Sequence, residues 1–346
     1  MPAAGLNRLF PPMPRPTSIF AALSQEELRD FLPDPLLERV RGLSPHLVHC
    51  DTGSSARAQF AARLAAENPE VLLACWSTPP LPATLPPNLR YVCYLCGSVR
   101  RLVSREHIAG GLLVTNWGGS ISRIVAEWAL FHILACLRRA TYWTIAMHRE
   151  GAWKHGGTET ASLFGRKVGL HGFGQIAREL VRLLQPFDCT ISAFAPDVTP
   201  ATAARHGIRP AASLADLFAG NDVIVELAPL NPSTVGTVRE EHLRLIRPGG
   251  VFVNVGRGAV VDEAALLRVA QEGRILVGLD VYGVEPLPVD SPFRGLNNVS
   301  LTPHIAGPTT DRRRDAGAHA VENLVAYATD RPLHSVITAE VYDTST

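Results

Sequence analysis

The sequence predicts an α/β fold in which one parallel-sheet domain is inserted into another. Its 346 residues exceed what one hydrophobic core usually serves, and 46% apolar with 19% charged residues is an ordinary globular composition. Short apolar strands alternate with helical segments in two separate series, a pattern typical of parallel sheets with right-handed crossovers. A glycine-rich turn opens the second series.

The first series extends from about Ala56 to Thr115, with predicted strands at Val71–Cys75, Tyr91–Leu95 and Leu112–Val114. Trp117-Gly118-Gly119 then interrupts the pattern, and Ser120 is suited to cap a helix. A helix predicted from Asp311 to Tyr327 returns the chain to this domain. We therefore assign residues 1–119 and 310–346 to the first domain and residues 120–309 to the inserted one.

The helix predicted after Ser120 is apolar on nearly all sides as far as Leu137. Arg123, Glu127 and His132 lie within it and would make a membrane span costly. A helix of this kind is buried on several faces, either in the centre of a domain or at a subunit interface.

Six strands with helices between them make up the inserted domain, which is what a doubly wound, Rossmann-type dinucleotide fold requires. The predicted strands are Lys167–His171, Thr190–Phe194, Asp222–Leu227, Val251–Val255, Ile275–Leu279 and Val299–Leu301. The predicted helices between them are Gln175–Leu184, Ser213–Ala219, Glu240–Ile246 and Asp262–Glu272.

The segment after the first of these strands fits the G-x-G-x-x-G/A fingerprint. Gly172 makes the tight turn, Gly174 lets the backbone approach a pyrophosphate, and Ala177 permits close packing of helix on strand. Loop and helix-start N–H groups supply anion binding, and the residues concerned are Gly172, Phe173, Gly174, Gln175 and Ile176. This context predicts a dinucleotide coenzyme rather than a structural glycine turn.

The expected ribose contact departs from the usual pattern. An acidic residue normally ends the second strand of such a domain and binds the adenosine ribose, but Ala195 stands at that place. Asp197 lies two residues later, and we expect it to reach the ribose. No arginine follows immediately to favour a 2′-phosphate, although Arg205 and His206 are nearby. The sequence therefore favours NAD and leaves NADP open.

Charged residues follow three successive strands of the inserted domain. Arg257 follows the fourth strand, Asp280 and Glu285 follow the fifth, and His304 follows the sixth. Each alone has an ordinary explanation as a solvated loop charge or a turn residue. Because ligands bind at the carboxyl edge of a doubly wound sheet, these groups together predict a catalytic site beside the coenzyme.

These segments resemble the D-isomer-specific 2-hydroxyacid dehydrogenase family, which includes glyoxylate/hydroxypyruvate reductases and phosphoglycerate dehydrogenases. The resemblance runs from roughly Pro69 to Gly307. The motifs that carry it are Gly172-Phe173-Gly174, Val253-Asn254-Val255-Gly256-Arg257-Gly258, Leu279-Asp280-Val281, Glu285-Pro286 and Thr302-Pro303-His304. It implies a hydride transfer between NAD(P)H and a small 2-keto acid, forming a D-2-hydroxy acid.

The resemblance also implies a role for each residue of the site. His304 is the general acid in reduction and the base in the reverse direction, and Glu285 orients its imidazole and favours the protonated form. Arg257 binds the substrate carboxylate and polarises the keto oxygen. Asp280 corresponds to the aspartate that binds the coenzyme carboxamide. Further implied coenzyme contacts are Leu227, Ala228, Pro229, Val255, Gly256, Arg257 and His304.

A loop of the first domain, Gly97-Ser98-Val99-Arg100, resembles the segment whose amides bind the substrate carboxylate in this family. Arg100-Arg101 replaces the usual acidic residue, Trp128 replaces the usual histidine, and Trp117 occupies a position that is more often small. Arg100 is either a site for a second anionic group or a solvated charge. The resemblance further implies a smaller, flavodoxin-like substrate domain, an active site in the interdomain cleft, and a homodimer built on the helix after Ser120.

Charge and cysteine content argue against other classes of function. A net charge of +1 gives no indication of a nucleic-acid or membrane partner. Cys93-x-x-Cys96 lacks a second pair or a histidine, so we interpret it as buried strand thiols and expect no metal. No apolar leader is evident, and Met1–Thr17 is rich in proline. We therefore expect a cytoplasmic protein with a flexible N-terminal arm.

Two other functions remain open on the same scaffold. One is the oxidation of formate or phosphite, although the formate-oxidising relatives carry glutamine where Glu285 stands. The other is a non-enzymatic NAD(H)-sensing scaffold of the corepressor type. The balanced net charge and the lack of long interaction tails favour an enzyme.

Overall fold

A computed structural model describes residues 16–154 and 159–344, so all but the last two residues of the expected N-terminal arm lie outside the described residues. The chain forms two compact units. One contains the residues up to Ile121 and from Thr310 onwards, and the other is Ser122–Thr309. Within the described ranges every pairing between strands is parallel, which confirms the predicted fold class.

The N-terminal part of the first unit alternates strands and helices. Its elements are β1 (Ile19–Leu23), α1 (Gln25–Phe31), α2 (Asp34–Arg41), β2 (Leu47–Asp51), α3 (Phe60–Glu67), β3 (Val71–Ala74), β4 (Tyr91–Tyr94), α4 (Arg105–Ala109) and β5 (Leu113–Thr115). The strand order β2-β1-β3-β4-β5 is that of a flavodoxin-like sheet.

The strands β1 and β2 were not predicted. All five residues of β1 are buried, and a short apolar run of this kind cannot be distinguished from a helix segment by periodicity. The three strands that were predicted in this unit, β3 to β5, lie within two residues of their expected bounds.

The second unit begins with two helices, α5 (Ser122–Leu137) and α6 (Ala140–Glu150). The elements that follow are β6 (Lys167–His171), α7 (Gln175–Leu184), β7 (Thr190–Phe194), α8 (Pro200–His206), β8 (Arg209–Pro210), α9 (Leu214–Gly220), β9 (Val223–Glu226), α10 (Glu240–Leu245), β10 (Val251–Asn254), α11 (Glu263–Gln271), β11 (Leu276–Leu279) and β12 (Val299–Leu301).

The sheet of the second unit has the order β12-β11-β10-β9-β6-β7-β8. The chain therefore reverses direction across the sheet between β6 and β9, which is the switch point where doubly wound folds bind ligands. The six predicted strands are present. The additional strand β8 is a two-residue edge strand that contains a proline, so it has no sequence periodicity from which to predict it.

Two helices complete the first unit: α12 (Arg313–Ala328) and α13 (Ala339–Thr344). The helix α12 packs on α1 and α2. A Cβ at Gly317 would lie 1.6 Å from the carbonyl oxygen of Phe31, so glycine permits this close approach of α12 to the end of α1.

The helix α5 packs on α7 and on the strands β10 and β11. Val125, Ala129 and Ile133 recur at helical spacing and are buried. Phe131, on another face, is 44% exposed. Among the helices of the described ranges, none is both long and apolar enough to cross a membrane.

Candidate active site

The predicted coenzyme loop follows β6 and is shaped by two different glycines. Gly172 has a φ of 91°, and a Cβ at this position would lie 2.6 Å from the backbone nitrogen of Ala228. Both features require glycine, because the φ is unfavourable for other residues and the contact is with backbone. Around the Cβ position of Gly174, nothing in the described chain lies within 4 Å. The second glycine is therefore open to a ligand.

The start of α7 offers N–H groups to an anion. Its N-cap, Gly174, contributes no capping side chain. Gln175 and Ile176 occupy the first turn, where backbone N–H groups have no partner within the helix. The amides of Phe173 and Gly174 also have no acceptor within the described residues. These groups fit the pyrophosphate of a dinucleotide coenzyme.

Other predicted coenzyme residues lie around the same loop. Residues 227–229 follow β9, and Gly172 packs against the backbone of the first two of them. Residues 255–256 follow β10, and a Cβ at Gly256 would lie 3.4 Å from Cα of Leu227. The ends of β6, β9 and β10 therefore bring these predicted contacts together.

Asp197, the predicted ribose ligand, is exposed in the turn after β7. Its carboxylate lies 3.6 Å from Nη2 of Arg178 in α7. The Arg178 guanidinium group lies 5.7 Å from the centre of the Phe173 ring. Arg178 therefore connects Asp197 to the coenzyme loop.

The imidazole of His304 and the carboxylate of Glu285 form a direct pair. Nδ1 of His304 lies 2.6 Å from Oε2 of Glu285. The other carboxylate oxygen, Oε1, accepts a hydrogen bond from the backbone N–H of Tyr282 at 3.0 Å. Because both oxygens are engaged, the carboxylate is held in place and orients the imidazole. Nε2 of His304 has no protein partner among the described residues and is therefore available to bond a ligand.

Arg257 is half-buried in the loop that follows β10. Asn254 shapes this loop, since its Oδ1 accepts from Gly256 N–H at 3.0 Å and its Nδ2 donates to the Arg257 carbonyl at 3.1 Å. Burial lowers the pKa of Arg257, and the negative charge of Glu285 opposes that effect. A guanidinium group that is partly removed from water is suited to bind an anionic substrate.

Three polar side chains around Asp280 were not identified as functional from the sequence. They are Trp128 and His132 of α5 and Thr302 after β12. Trp128 and His132 are four residues apart and so share a helix face, while Thr302 lies two residues before His304. That spacing is the sequence signal from which the group could have been found.

The predicted substrate loop lies in the first unit, after β4. Within the described residues, the backbone N–H groups of Gly97, Ser98 and Val99 have no acceptor. The carbonyl of Gly97 accepts from Nδ2 of Asn116 at 2.8 Å, which holds the loop. Successive unpaired N–H groups of this kind are suited to bind a carboxylate.

Two departures from the family pattern have structural partners in the first unit. The indole of Trp117 packs on Gly97, 2.9 Å from where a Cβ would lie. Arg100 donates through Nη2 to the carbonyl of Tyr342 in α13, and its guanidinium group lies 4.7 Å from the centre of the Tyr342 ring. Arg100 is therefore engaged by a helix of its own unit.

The cysteines of the first unit are buried thiols. Sγ of Cys96 lies 3.3 Å from Sγ of Cys75, whereas Cys93 contacts the carbonyl of Ala320 through its sulfur. Burial raises the pKa of Cys93 to about 11, which makes it a poor nucleophile at neutral pH. No cluster of three or more metal-ligating side chains occurs within the described ranges.

Comparison with known proteins identifies the family that this chain resembles in sequence. The family model for the D-isomer specific 2-hydroxyacid dehydrogenase, NAD binding domain, matches residues 130–306, just over half of the chain. The matched region includes the coenzyme loop as well as Arg257, Glu285 and His304.

Two curated relatives and one solved structure are similar to this chain. Hydroxyphenylpyruvate reductase of Plectranthus scutellarioides is 35% identical over 64% of this chain and 70% of that protein. D-3-phosphoglycerate dehydrogenase of Mycobacterium tuberculosis (strain ATCC 25618 / H37Rv) is 36% identical over 62% of this chain but only 40% of that protein. The NADPH-dependent glyoxylate/hydroxypyruvate reductase of Sinorhizobium meliloti is 26% identical, with a TM-score of 0.72, and the match covers 95% and 99% of the two chains.

Proposed function

Because the chain belongs to the D-isomer-specific 2-hydroxyacid dehydrogenase family, as its motifs predicted, we propose that it interconverts a 2-keto acid and a D-2-hydroxy acid with NAD(P)H. Membership makes it an NAD(P)-binding oxidoreductase that acts on CH–OH donors. The relatives are named for different acids, so the proposal concerns a class of substrate.

The hydrogen bond of 2.6 Å between His304 and Glu285 carries the proposal. It engages Nδ1 and leaves Nε2 of His304 for proton transfer. When bound, the nicotinamide coenzyme supplies the hydride in reduction and accepts it in oxidation. His304 donates a proton to the keto oxygen in reduction and removes it from the hydroxyl group in the reverse direction. The Glu285 carboxylate, bonded to Nδ1, holds the orientation of the imidazole.

Arg257 is proposed to bind the substrate carboxylate and to polarise the keto oxygen. A planar guanidinium group matches a carboxylate with two parallel hydrogen bonds. Its partial burial supports this role, because a desolvated cation attracts an anion more strongly than a solvated one.

For the coenzyme, we propose that the glycine loop and the start of α7 bind the pyrophosphate, with residues 227–229 and 255–256 beside them. Asp197, linked to the loop through Arg178, is the proposed ribose contact. For the substrate, we propose that the unpaired backbone N–H groups of Gly97, Ser98 and Val99 bind the same carboxylate group as Arg257. The proposal does not extend to the Arg100 side chain, because α13 engages it.

We also propose a cytoplasmic homodimer that uses α5 and α6. Large apolar side chains on this part of the second unit are exposed, with Phe131 at 44%, Ile145 at 48%, Met147 at 50% and Trp153 at 69%. An exposed apolar surface of this kind is typical of a subunit interface. Six free cysteines support a reducing compartment.

The direct test is a steady-state assay with a panel of 2-keto acids, small and aromatic, each with NADH and with NADPH. The proposal expects oxidation of at least one coenzyme with formation of the D isomer, identified by chiral chromatography. Tight coenzyme binding without turnover of any acid would favour the coenzyme-sensing scaffold. Oxidation of formate or phosphite without keto-acid reduction would favour the other alternative.

The role of His304 is tested by His304→Asn. Because only the proton donor is removed, turnover should fall by about a hundredfold or more while coenzyme affinity is retained. The matched control is His46→Asn, which breaks another exposed His–Glu contact, at 3.2 Å from Glu67. Equal turnover of the two variants would remove His304 from the proposed mechanism.

A further inference from the structure

The carboxylate of Asp280 is fully buried and is surrounded by hydrogen-bond donors. Oδ1 accepts from Nε1 of Trp128 at 3.2 Å, from Oγ1 of Thr302 at 2.6 Å and from the backbone N–H of Ile305 at 3.0 Å. Oδ2 accepts from the backbone N–H of Ala306 at 2.8 Å. Within the described residues Asp280 has no ion-pair partner, so these donors stabilise its charge.

Three of these donors share Oδ1, whereas Oδ2 accepts from one. An ionised carboxylate presents about four lone-pair sites, and a buried charge is tolerated only when such sites are satisfied. Oδ2 therefore keeps a lone-pair site that could accept from an amide of the coenzyme, whereas Oδ1 is fully engaged within the protein. The geometry thus gives Asp280 a structural target in addition to any coenzyme contact, namely the segment that supplies two of its donors.

The shortest hydrogen bonds of the neighbouring side chains run towards Asp280. The Thr302 hydroxyl has one hydrogen, and the short contact of 2.6 Å assigns it to the carboxylate. Its oxygen must then accept from Nε2 of His132, which lies 2.9 Å away. Nδ1 of His132 is buried without a partner in the described chain. His132 is thus a neutral donor, and burial lowers its pKa to about 4 despite the opposing charge of Asp280.

The backbone donors are the two residues that follow His304. His304 itself has a φ of 54°, a conformation that non-glycine residues rarely adopt, and its N–H donates to the carbonyl of Thr302 at 3.1 Å. A turn in such a conformation needs support from its surroundings. The hydrogen bonds from Ile305 and Ala306 to one buried carboxylate provide that support.

We propose that Asp280 is a positioning residue whose buried carboxylate fixes the turn that carries His304. The side chains of Trp128 and Thr302 hold the carboxylate for this purpose, and His132 orients the Thr302 hydroxyl. The inference rests on the proposed role of His304 for its kinetic consequence. Its structural consequence, the anchoring of residues 304–307, can be measured independently.

The test compares Thr302→Val and Trp128→Phe with the wild-type chain. Each variant removes one donor to Asp280 and keeps most of the side-chain volume. Thr302→Ser restores the hydroxyl group. The matched control is Thr141→Val, which removes a hydroxyl–hydroxyl hydrogen bond of 2.8 Å to Ser300 in the same unit but touches no part of the turn.

The first measurement is hydrogen–deuterium exchange of the peptide that spans residues 304–307, read by mass spectrometry without substrate or coenzyme. Both test variants should exchange this peptide faster, by about tenfold for Thr302→Val, because the anchored amides open more often. Thr302→Ser should return the exchange to near the wild-type rate. If Thr302→Val and Trp128→Phe exchange no faster than Thr141→Val, the anchoring inference is wrong, whether or not any acid is reduced.

The second measurement separates positioning from coenzyme binding. With an acid that the wild type reduces, Thr302→Val should lower kcat by about tenfold or more and leave the NADH dissociation constant within about threefold. Thr302→Ser should recover most of kcat. A loss of NADH affinity as large as the loss of kcat would instead show that the Thr302–Asp280 hydrogen bond acts through coenzyme binding and not through the turn, and it would overturn the inference. Should Thr302→Val not fold, Trp128→Phe is judged by the same criteria.

Discussion

Gly174→Ala gives a sharp test of where the coenzyme passes. In the chain alone, Gly174 has a φ of −76° and a ψ of −163°, which alanine adopts without strain, and its Cβ position is open. The free energy of unfolding should therefore change by no more than about 0.5 kcal/mol. A methyl group where the pyrophosphate approaches the backbone should cost about 1–3 kcal/mol of binding. This corresponds to roughly 5- to 150-fold weaker coenzyme affinity.

Two other glycines provide the contrast for this measurement. Gly172→Ala places a methyl group 2.6 Å from a backbone nitrogen at a φ of 91°, so it should lower the free energy of unfolding by about 2 kcal/mol or more. Gly220→Ala lies in α9, where nothing in the described chain is within 4 Å of the new Cβ. It should raise the free energy of unfolding by about 0.5–1 kcal/mol, because alanine favours the helix, and leave coenzyme affinity unchanged.

Affinity is measured by fluorescence titration with NADH and with NADPH, and stability by urea denaturation of the same preparations. The expected pattern is a binding defect without a stability defect for Gly174→Ala and a stability defect for Gly172→Ala. Wild-type affinity in Gly174→Ala for both coenzymes would show that the pyrophosphate does not pass over this glycine, and the proposed coenzyme site would have to be abandoned.

Three further predictions concern the substrate, acid stability and assembly. Arg257→Lys should lower kcat/KM for the keto acid by on the order of a hundredfold with little change in coenzyme affinity, because an ammonium group cannot make a bidentate contact; steady-state kinetics that match the wild type would contradict this. Burial lowers the pKa of His132 from 6.5 to about 4. Between these two pH values its imidazole is protonated in the unfolded chain and neutral in the folded chain. Stability should therefore fall by about 2 kcal/mol from pH 7 to pH 5 through this group, and urea denaturation of His132→Gln should show a smaller loss; equal losses would count against a buried neutral histidine. The double variant Ile145→Asp, Met147→Asp should be monomeric by light scattering while the wild type is a dimer, and a monomeric wild type would end the dimer proposal.

The sequence predicted much of the arrangement that we propose for the coenzyme, because its signals are local. The turn at Gly172 and Gly174, the helix that follows and the charged residues at successive strand ends are properties of neighbouring positions in the chain. The parallel topology then requires that these strand ends share one edge of the sheet. The same kind of reasoning missed β1 and β8, because a short strand that is uniformly buried, or one that ends in proline, has no periodicity of its own. It also missed β2, whose five residues are mostly half-buried and show no alternation of buried and exposed positions.

The sequence by itself determined the α/β class and the glycine loop, and it predicted the residues that we propose for the reaction, Arg257, Glu285 and His304. Only the tertiary structure decided which side chains that are distant in the sequence become partners. Trp128 reaches Asp280 across 152 positions of the chain, and Arg100 meets Tyr342 across 242. Such partners are set by how helices and strands pack, since a buried polar group takes whatever donor the neighbouring element presents. The local sequence pattern does not indicate which donor that will be.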